Sequence, residues 1–220
     1  MGFLQALHVY DDRESKSAAM NMAVDEALLE LVTVPSLRFY TWQRPSLSFG
    51  YFGFFGEVGE EAAHRDTVRR WTGGGTVLHG SDFTYSFILP VDRTRHLPAS
   101  RIIYSEVHEA IRQALSPYRR VELALRDALK SSDDCFANPV RADVLEGETK
   151  IAGAAQRRTR VGLLHQGSIQ HIALPDSFAE AFARELCPHF TWRQFPPELP
   201  QRAHDLSAEK YGTAAWLRQR

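Results

Sequence analysis

The chain has 220 residues, 44% hydrophobic and 24% charged, with a formal charge of −1; this suits one soluble globular domain with a sizeable core and gives no whole-protein attraction to nucleic acid or anionic lipid. No apolar run approaches the ~20 residues of a membrane span, the first residues lack a signal peptide's basic start and cleavage site, and two cysteines, Cys135 and Cys187, are too few for a disulfide framework and lack zinc-site spacing. The expectation is a cytoplasmic protein with no metal site and neither a nucleic-acid nor a membrane partner.

In chain order, the first predicted element is a helix over 18–32, where Met22, Ala23, Leu28, Leu29 and Val32 follow a helical rhythm that ends near Pro35. Residues 37–42 and 47–50 are short β-rich runs separated by Arg44-Pro45, and they read as neighbouring strands. Strands over 67–71 and 84–89 flank a run of three glycines, Gly73 to Gly75. Residues 100–115 form a second amphipathic helix, with Ile103, Val107, Ala110, Ile111 and Leu115 on one face. Residues 140–145, 149–155 and 163–172 read as strands of one sheet, with Gly147 turning the first pair. Pro175-Asp176-Ser177-Phe178 opens a helix reaching about Leu186, and 208–220 offers a last one. Strands and helices that mix without regular alternation predict an α+β fold, not a doubly wound sheet.

Two stretches carry the chemistry. In Arg69-Arg70-Trp71-Thr72-Gly73-Gly74-Gly75-Thr76-Val77-Leu78-His79 the glycines leave a backbone with no side chains to hold a ligand away. Such a loop can bring N–H groups onto a carbonyl or phosphate oxygen, and Arg69 and Arg70 add positive charge beside it. A plain hairpin needs only one or two such residues, so the run favours a ligand slot over a simple turn. The second stretch repeats the theme: Lys150 supplies a cation, and Gly153, Ala154 and Ala155 keep bulk away from it. Neither stretch has the spacing of a P-loop or a dinucleotide-binding turn.

These stretches, with Asn21-Met22-Ala23-Val24-Asp25-Glu26-Ala27-Leu28, the run from Trp42 through Pro45-Ser46-Leu47-Ser48-Phe49-Gly50-Tyr51-Phe52, and Leu163-Leu164-His165-Gln166-Gly167-Ser168-Ile169, resemble the lipoate–protein ligase and octanoyltransferase family. The resemblance covers about 21–172. It implies the biotin/lipoate A/B protein ligase fold, a mixed β-sheet flanked by helices. Residues 1–220 are then expected to be a single catalytic domain without a full C-terminal accessory domain. It also implies that Lys150 contacts the carbonyl of the bound acyl group, where a fixed ammonium stabilises developing negative charge. Arg70, Thr72, Gly73, Gly74, Gly75, His79, Tyr85, Gly153, Ala154, Ala155 and His165 form the expected substrate-binding set.

Cys135 separates the two branches of that family. A lone cysteine is more often a small buried hydrophobe, but Asp133-Asp134-Cys135-Phe136-Ala137-Asn138 is a polar loop fifteen positions before Lys150. In the octanoyltransferase branch a Cys-Phe pair in this place supplies the acyl-accepting thiol, whereas the ligase branch activates the acid with ATP. A nearby ammonium lowers a thiol pKa, and Asp133 and Asp134 oppose that if they point inward. Tyr85-Ser86 resembles the octanoyltransferase branch, while Gly75 stands where that branch often has arginine. A nucleophile dictates chemistry and a glycine only permits room, so the cysteine outweighs the glycine.

The reading is therefore an octanoyltransferase. It moves an octanoyl group from octanoyl-acyl carrier protein through a Cys135 thioester to a lysine of a lipoyl domain or the glycine-cleavage H protein, with no cofactor required. The alternatives are a lipoate–protein ligase that uses ATP and Mg2+ through an acyl-adenylate, and a non-catalytic binder of lipoyl domains or acyl groups. Phe39, Trp42, Leu47, Phe49, Tyr51, Phe52 and Trp71 read equally as sheet core or as the lining of an acyl tunnel. Arg157, Arg158 and Arg160 are expected to face solvent, and Cys187 to be structural.

Overall fold

A computed structural model of the chain describes residues 4–91, 97–128 and 136–219. The strands are β1 (Leu7–Lys16), β2 (Ser36–Trp42), β3 (Ser46–Phe49), β4 (Asp66–Arg69), β5 (Val77–His79), β6 (Phe83–Pro90), β7 (Glu122–Leu123), β8 (Val144–Glu146), β9 (Thr149–Arg158), β10 (Gly162–Ile169) and β11 (Phe190–Trp192). The helices are α1 (Ala18–Leu31), α2 (Gly59–Ala63), α3 (Ser100–Leu115), α4 (Phe178–Leu186), α5 (Leu199–Leu206) and α6 (Ala214–Leu217). Among the described residues the strands form an eight-stranded sheet of order β11-β1-β2-β6-β10-β9-β8-β7 and a three-stranded sheet of order β4-β3-β5. The large sheet is mixed: β1 runs parallel to β2 and β11, and its other pairings are antiparallel. This is the expected α+β architecture, a mixed sheet with helices on both sides.

Strand periodicity sorts the side chains into two layers. Phe39, Tyr85, Phe87 and Leu163 point to the face covered by α3 and α4, where Val107, Ile111, Phe178 and Phe182 complete the core. Their chain neighbours Tyr40, Ile88 and Leu164 point the other way, onto Met22, Leu28 and Leu29 of α1 and Leu199 and Ala203 of α5. Because both faces are covered, the strands carry apolar residues at odd and even positions alike.

A buried ionic network fastens α1 to the sheet. The Arg38 guanidinium is fully buried. It donates to Asp12 Oδ2 at 2.7 Å, Asp25 Oδ1 at 2.6 Å and Asn21 Oδ1 at 2.7 Å. Removing one partner would leave an uncompensated charge in the interior, which typically costs 3–5 kcal/mol. Ser17 caps the helix by accepting from the Met20 N–H at 3.3 Å.

Three expectations need correction. The runs 37–42 and 47–50 do not neighbour each other in one sheet. β2 already has β1 and β6 on its two edges, so β3 pairs with β4 and β5 in the smaller sheet. The strand expected over 140–145 begins only at Val144, because Ala142 takes a left-handed φ of 70° and the Val140 N–H is bound by the Asp143 carboxylate. The last helix starts earlier than 208: α5 runs into a π-helical turn over Ser207–Tyr211, and Gly212 separates that turn from the short α6. No helix among the described residues is long and apolar enough to cross a membrane.

Candidate active site

The glycine loop is shaped by the residues around it. Gly74 adopts a φ of +86°, a conformation that L side chains rarely take. A Cβ on Gly50 would fall 2.1 Å from the Gly74 carbonyl oxygen, so the loop packs directly on the backbone that follows β3. Arg70 holds the loop from beneath, donating to the carbonyls of Gly73 at 3.1 Å and Gly75 at 2.8 Å and to Ser48 Oγ at 2.6 Å. Thr72 donates to Gln166 Oε1 at 2.8 Å, and Gln166 in turn donates to Asp25 Oδ2 at 2.7 Å, linking the loop to the ionic network under α1. Arg69 does not join Arg70. Its guanidinium donates to the carbonyls of Tyr51, Gly53 and Leu217, clamping the C-terminal segment against the loop after β3.

Between this loop, α1 and the large sheet lies a narrow pocket of about 30 Å³, room for little more than a water molecule. Met22, Tyr40, Trp42, Val77 and Phe136 give it apolar walls, and Arg70, His79 and Gln166 give it polar ones. Gly153, Ala154 and Ala155 line the opposite side, and the Cβ of Ala155 lies 3.4 Å from where a Cβ on Gly74 would sit. The two small-residue stretches therefore meet where Gly74 packs on Ala155, and the second of them lines the pocket.

Lys150 is buried beside the pocket and pairs with the fully buried Asp143, Nζ to Oδ2 at 2.8 Å. Asp143 also accepts from the Tyr104 hydroxyl at 2.5 Å and from the Val140 N–H at 2.7 Å. Burial, reinforced by the Asp143 charge, raises the Tyr104 pKa well above its ordinary value, so the phenol stays a donor. Gly153 makes room for the ammonium: a Cβ there would fall 2.7 Å from Nζ. The Lys150 ammonium lies 5.3 Å from the ring centre of Phe136. Cys135, expected to be the nucleophile, lies outside the described residues.

His79 sits on the pocket wall in a row of hydrogen bonds. Its Nδ1 meets Asp82 Oδ2 and its Nε2 meets Ser48 Oγ, both at 2.7 Å, and its ring stacks on Trp42 with centroids 4.0 Å apart. Burial lowers the His79 pKa and outweighs the opposing pull of Asp82. Asp82 is buried too, but its hydrogen bonds from His79, Ser168 and Gly80 more than offset that and bring its pKa to about 2.

Six expected residues do not line the cavity: Thr72 and Gly73 to Gly75, which sit in the loop beside it, and Tyr85 and His165. Tyr85 and His165 point to the α3–α4 side of the sheet, because Thr84, Gln166 and Ser168 take the pocket-facing positions of β6 and β10. The Tyr85 hydroxyl lies 3.2 Å from His165 Nε2, and its ring fills the space over Gly167, whose backbone lines the pocket. Their role is to back the wall. The aromatic set divides in the same way. Trp42 lines the pocket, Phe39 packs under α4, Leu47 and Phe49 form a small separate cluster, and Phe52 is 64% exposed. Arg157 is not simply solvated, since its guanidinium lies 5.1 Å from the ring centres of both Tyr51 and Trp71; Arg158 and Arg160 are exposed. Cys187 is buried, its thiol 3.5 Å from the Leu4 carbonyl oxygen.

Sequence reasoning missed Ser48, Asp82, Tyr104 and Asp143. Only Asp82 left a signal, as a carboxylate three positions after a motif histidine.

A profile of the lipoyl protein ligase A/B catalytic domain matches residues 17–206. Octanoyltransferase LipM of Oceanobacillus iheyensis is 35% identical over 167 residues, which cover 70% of this chain and 60% of that protein. LipM of Clostridioides difficile is 30% identical over 212 residues, 90% of this chain and 74% of that protein. The chain thus spans about three fifths of the first of these relatives. A crystal structure of lipoate-protein ligase A bound with ATP has a TM-score of 0.76 at 21% identity, covering 98% of this chain and 99% of that one. At that identity the likeness shows the fold.

Proposed function

This chain belongs to the lipoyl protein ligase A/B catalytic-domain family, and on that premise we propose that it is an octanoyltransferase of lipoate assembly. The Cys135 thiolate attacks the carbonyl carbon of octanoyl-acyl carrier protein: a new C–S bond forms and the carrier's thiol leaves. The ε-amine of a lysine on a lipoyl domain or the glycine-cleavage H protein then attacks the enzyme thioester, and Cys135 leaves. The donor is already an activated thioester, so covalent catalysis needs neither nucleotide nor metal. Lys150 offers its ammonium to the carbonyl oxygen as negative charge develops, held in place by Asp143. The work is done in the cytoplasm.

The observation that carries this reading is the position of Phe136. It lines the pocket with its ring beside the Lys150 ammonium, and the residue before it in sequence is Cys135. The names of the relatives above point the same way. The test is transfer of octanoyl from octanoyl-acyl carrier protein to a lipoyl domain in the absence of ATP. Transfer at a steady rate is the expected result. Acylation of the lipoyl domain that requires ATP and free octanoate or lipoate, with pyrophosphate released, overturns the transferase in favour of a ligase.

A further inference from the structure

We propose that Tyr104 and His108, one turn apart on α3, are positioning residues of the active site: together they grip the Ala142–Asp143 turn and so place the carboxylate against which Lys150 rests. The inference rests on the role of Lys150 proposed above and adds to it the helix that aims the lysine.

The turn does not hold itself. Ala142 takes a left-handed φ of 70°, which is unfavourable for a residue with a Cβ, and alanine has no polar side chain to favour it locally. Its surroundings have to impose it. The Ala142 N–H donates to the Ala124 carbonyl at 2.8 Å, and the Ala142 carbonyl accepts from His108 Nδ1 at 2.7 Å. One residue on, both Asp143 oxygens are engaged: Oδ1 accepts from the Tyr104 hydroxyl at 2.5 Å, and Oδ2 from the Val140 N–H at 2.7 Å and Lys150 Nζ at 2.8 Å.

The donors on α3 are each fixed in direction. The Ala154 N–H lies 3.2 Å from the Tyr104 oxygen. An N–H can only donate, so the oxygen accepts there and its single hydrogen is committed to Asp143. β8 accompanies β9 only as far as Ala152, and beyond it the tyrosine oxygen takes the strand's place and is oriented by β9 in return. A carbonyl can only accept, so Nδ1 carries the His108 hydrogen; burial lowers the His108 pKa to about 4, and the ring is neutral at neutral pH. His108 is fully buried and its Nε2 has no partner among the described residues. A buried polar ring left half satisfied weakens a fold, and what this one supplies is the bond to Ala142. The spacing i, i+4 puts both side chains on one face of α3, where the rings meet edge to face with centroids 4.2 Å apart. The arrangement makes no demand on the protonation of Lys150, since the amine in either form can donate to Asp143.

The test is octanoyl transfer to a lipoyl domain at varied acceptor concentration, by variants that thermal melts show to be folded. Tyr104→Phe keeps the ring and removes the hydroxyl. Its kcat should fall on the order of 10- to 100-fold, the scale of a misplacement of up to about 1 Å, with KM for the lipoyl domain unchanged. In an Asp143→Ala background the hydroxyl has no carboxylate to hold, so adding Tyr104→Phe should slow transfer by less than about threefold; a hydroxyl that served only the fold would cost the same in both backgrounds. His108→Leu should lower kcat on a similar scale. His108→Asn, whose side-chain N–H stands where Nδ1–H does, should recover much of that loss. A folded Tyr104→Phe or His108→Leu enzyme with wild-type kcat overturns the proposal, as do losses that multiply in the double variant or a His108→Asn no faster than leucine. The His108 pair decides if a Tyr104 or Asp143 variant does not fold. A wild type that acylates the lipoyl domain only with ATP and free octanoate refutes the transferase and not the grip on Asp143, which the same variants then decide in that assay. A wild type inactive in both assays overturns both.

Discussion

Gly153→Ala separates the position of Lys150 from the integrity of the fold. The added Cβ would lie 2.4 Å from Lys150 Cε and 2.7 Å from Nζ. Ordinary carbon contacts are about 3.5–4.0 Å, so the ammonium has to retreat by roughly 1 Å. The atoms in the way belong to the far end of a flexible side chain; the next nearest, Asp143 Oδ1, is at an ordinary 3.4 Å. The backbone therefore has no reason to move, and the melting temperature should fall by only a few degrees. The Lys150 ammonium, by contrast, is turned out of its present position while still able to reach Asp143. A 1 Å misplacement of a catalytic group costs on the order of 100-fold in rate, equivalent to about 2.7 kcal/mol of transition-state stabilisation. The assay is steady-state octanoyl transfer to a lipoyl domain, run beside a thermal melt. A folded Gly153→Ala enzyme with wild-type turnover would refute the claim that the glycine exists to seat the lysine.

Other outcomes follow from the same geometry. Gly74→Val places a β-branched residue at a φ of +86° beside Ala155 and should abolish octanoyl-donor binding, measured by titration calorimetry on folded protein. Asp143→Asn removes the carboxylate from a buried ion pair and should cost about 3–5 kcal/mol in a urea melt; a neutral result would mean that Asp143 does not hold Lys150. His108 is fully buried with Nε2 lacking a partner among the described residues, and burial lowers its pKa from 6.5 to about 4. Its folded pKa lies below its unfolded value, so the unfolded chain takes up the proton first. The stability is complete above 6.5 and drains as pH falls towards 4. At about 1.4 kcal/mol per unit, roughly 2 kcal/mol should be gone by pH 5. A His108→Gln protein should show a flatter acid limb in urea melts at pH 7 and 5; an unchanged slope contradicts the assignment.

The helix at 100–115 was legible because it buries one stripe, the helix at 18–32 because its apolar residues run on until Pro35 although it is buried on nearly every side, and the sheet strands because they are rich in large apolar residues. β1 was not, since Asp11-Asp12-Arg13-Glu14 reads as a solvated run; Asp12 is buried only because Arg38, twenty-six positions later, meets it. The convergence of the glycine loop on Gly153 to Ala155 was visible as two side-chain-poor stretches. Which residues face the cavity was harder to read. With helices on both faces of the sheet, alternation gives no sign of which parity is which, and so Tyr85 and His165 were taken for pocket residues while Thr84, Gln166 and Ser168 hold that face. Ser48 and Asp143 left no local trace at all, because their partners His79 and Lys150 come from other strands.

The central claim is that the acyl group passes through Cys135. Its most direct test is the intact mass of the protein after incubation with octanoyl-acyl carrier protein, without ATP. The account predicts a single octanoyl adduct that maps to Cys135, is released by hydroxylamine and is missing in Cys135→Ser, whose hydroxyl is a far weaker nucleophile than a thiolate. A Cys135→Ser protein that still transfers octanoyl to the acceptor at the wild-type rate would contradict it.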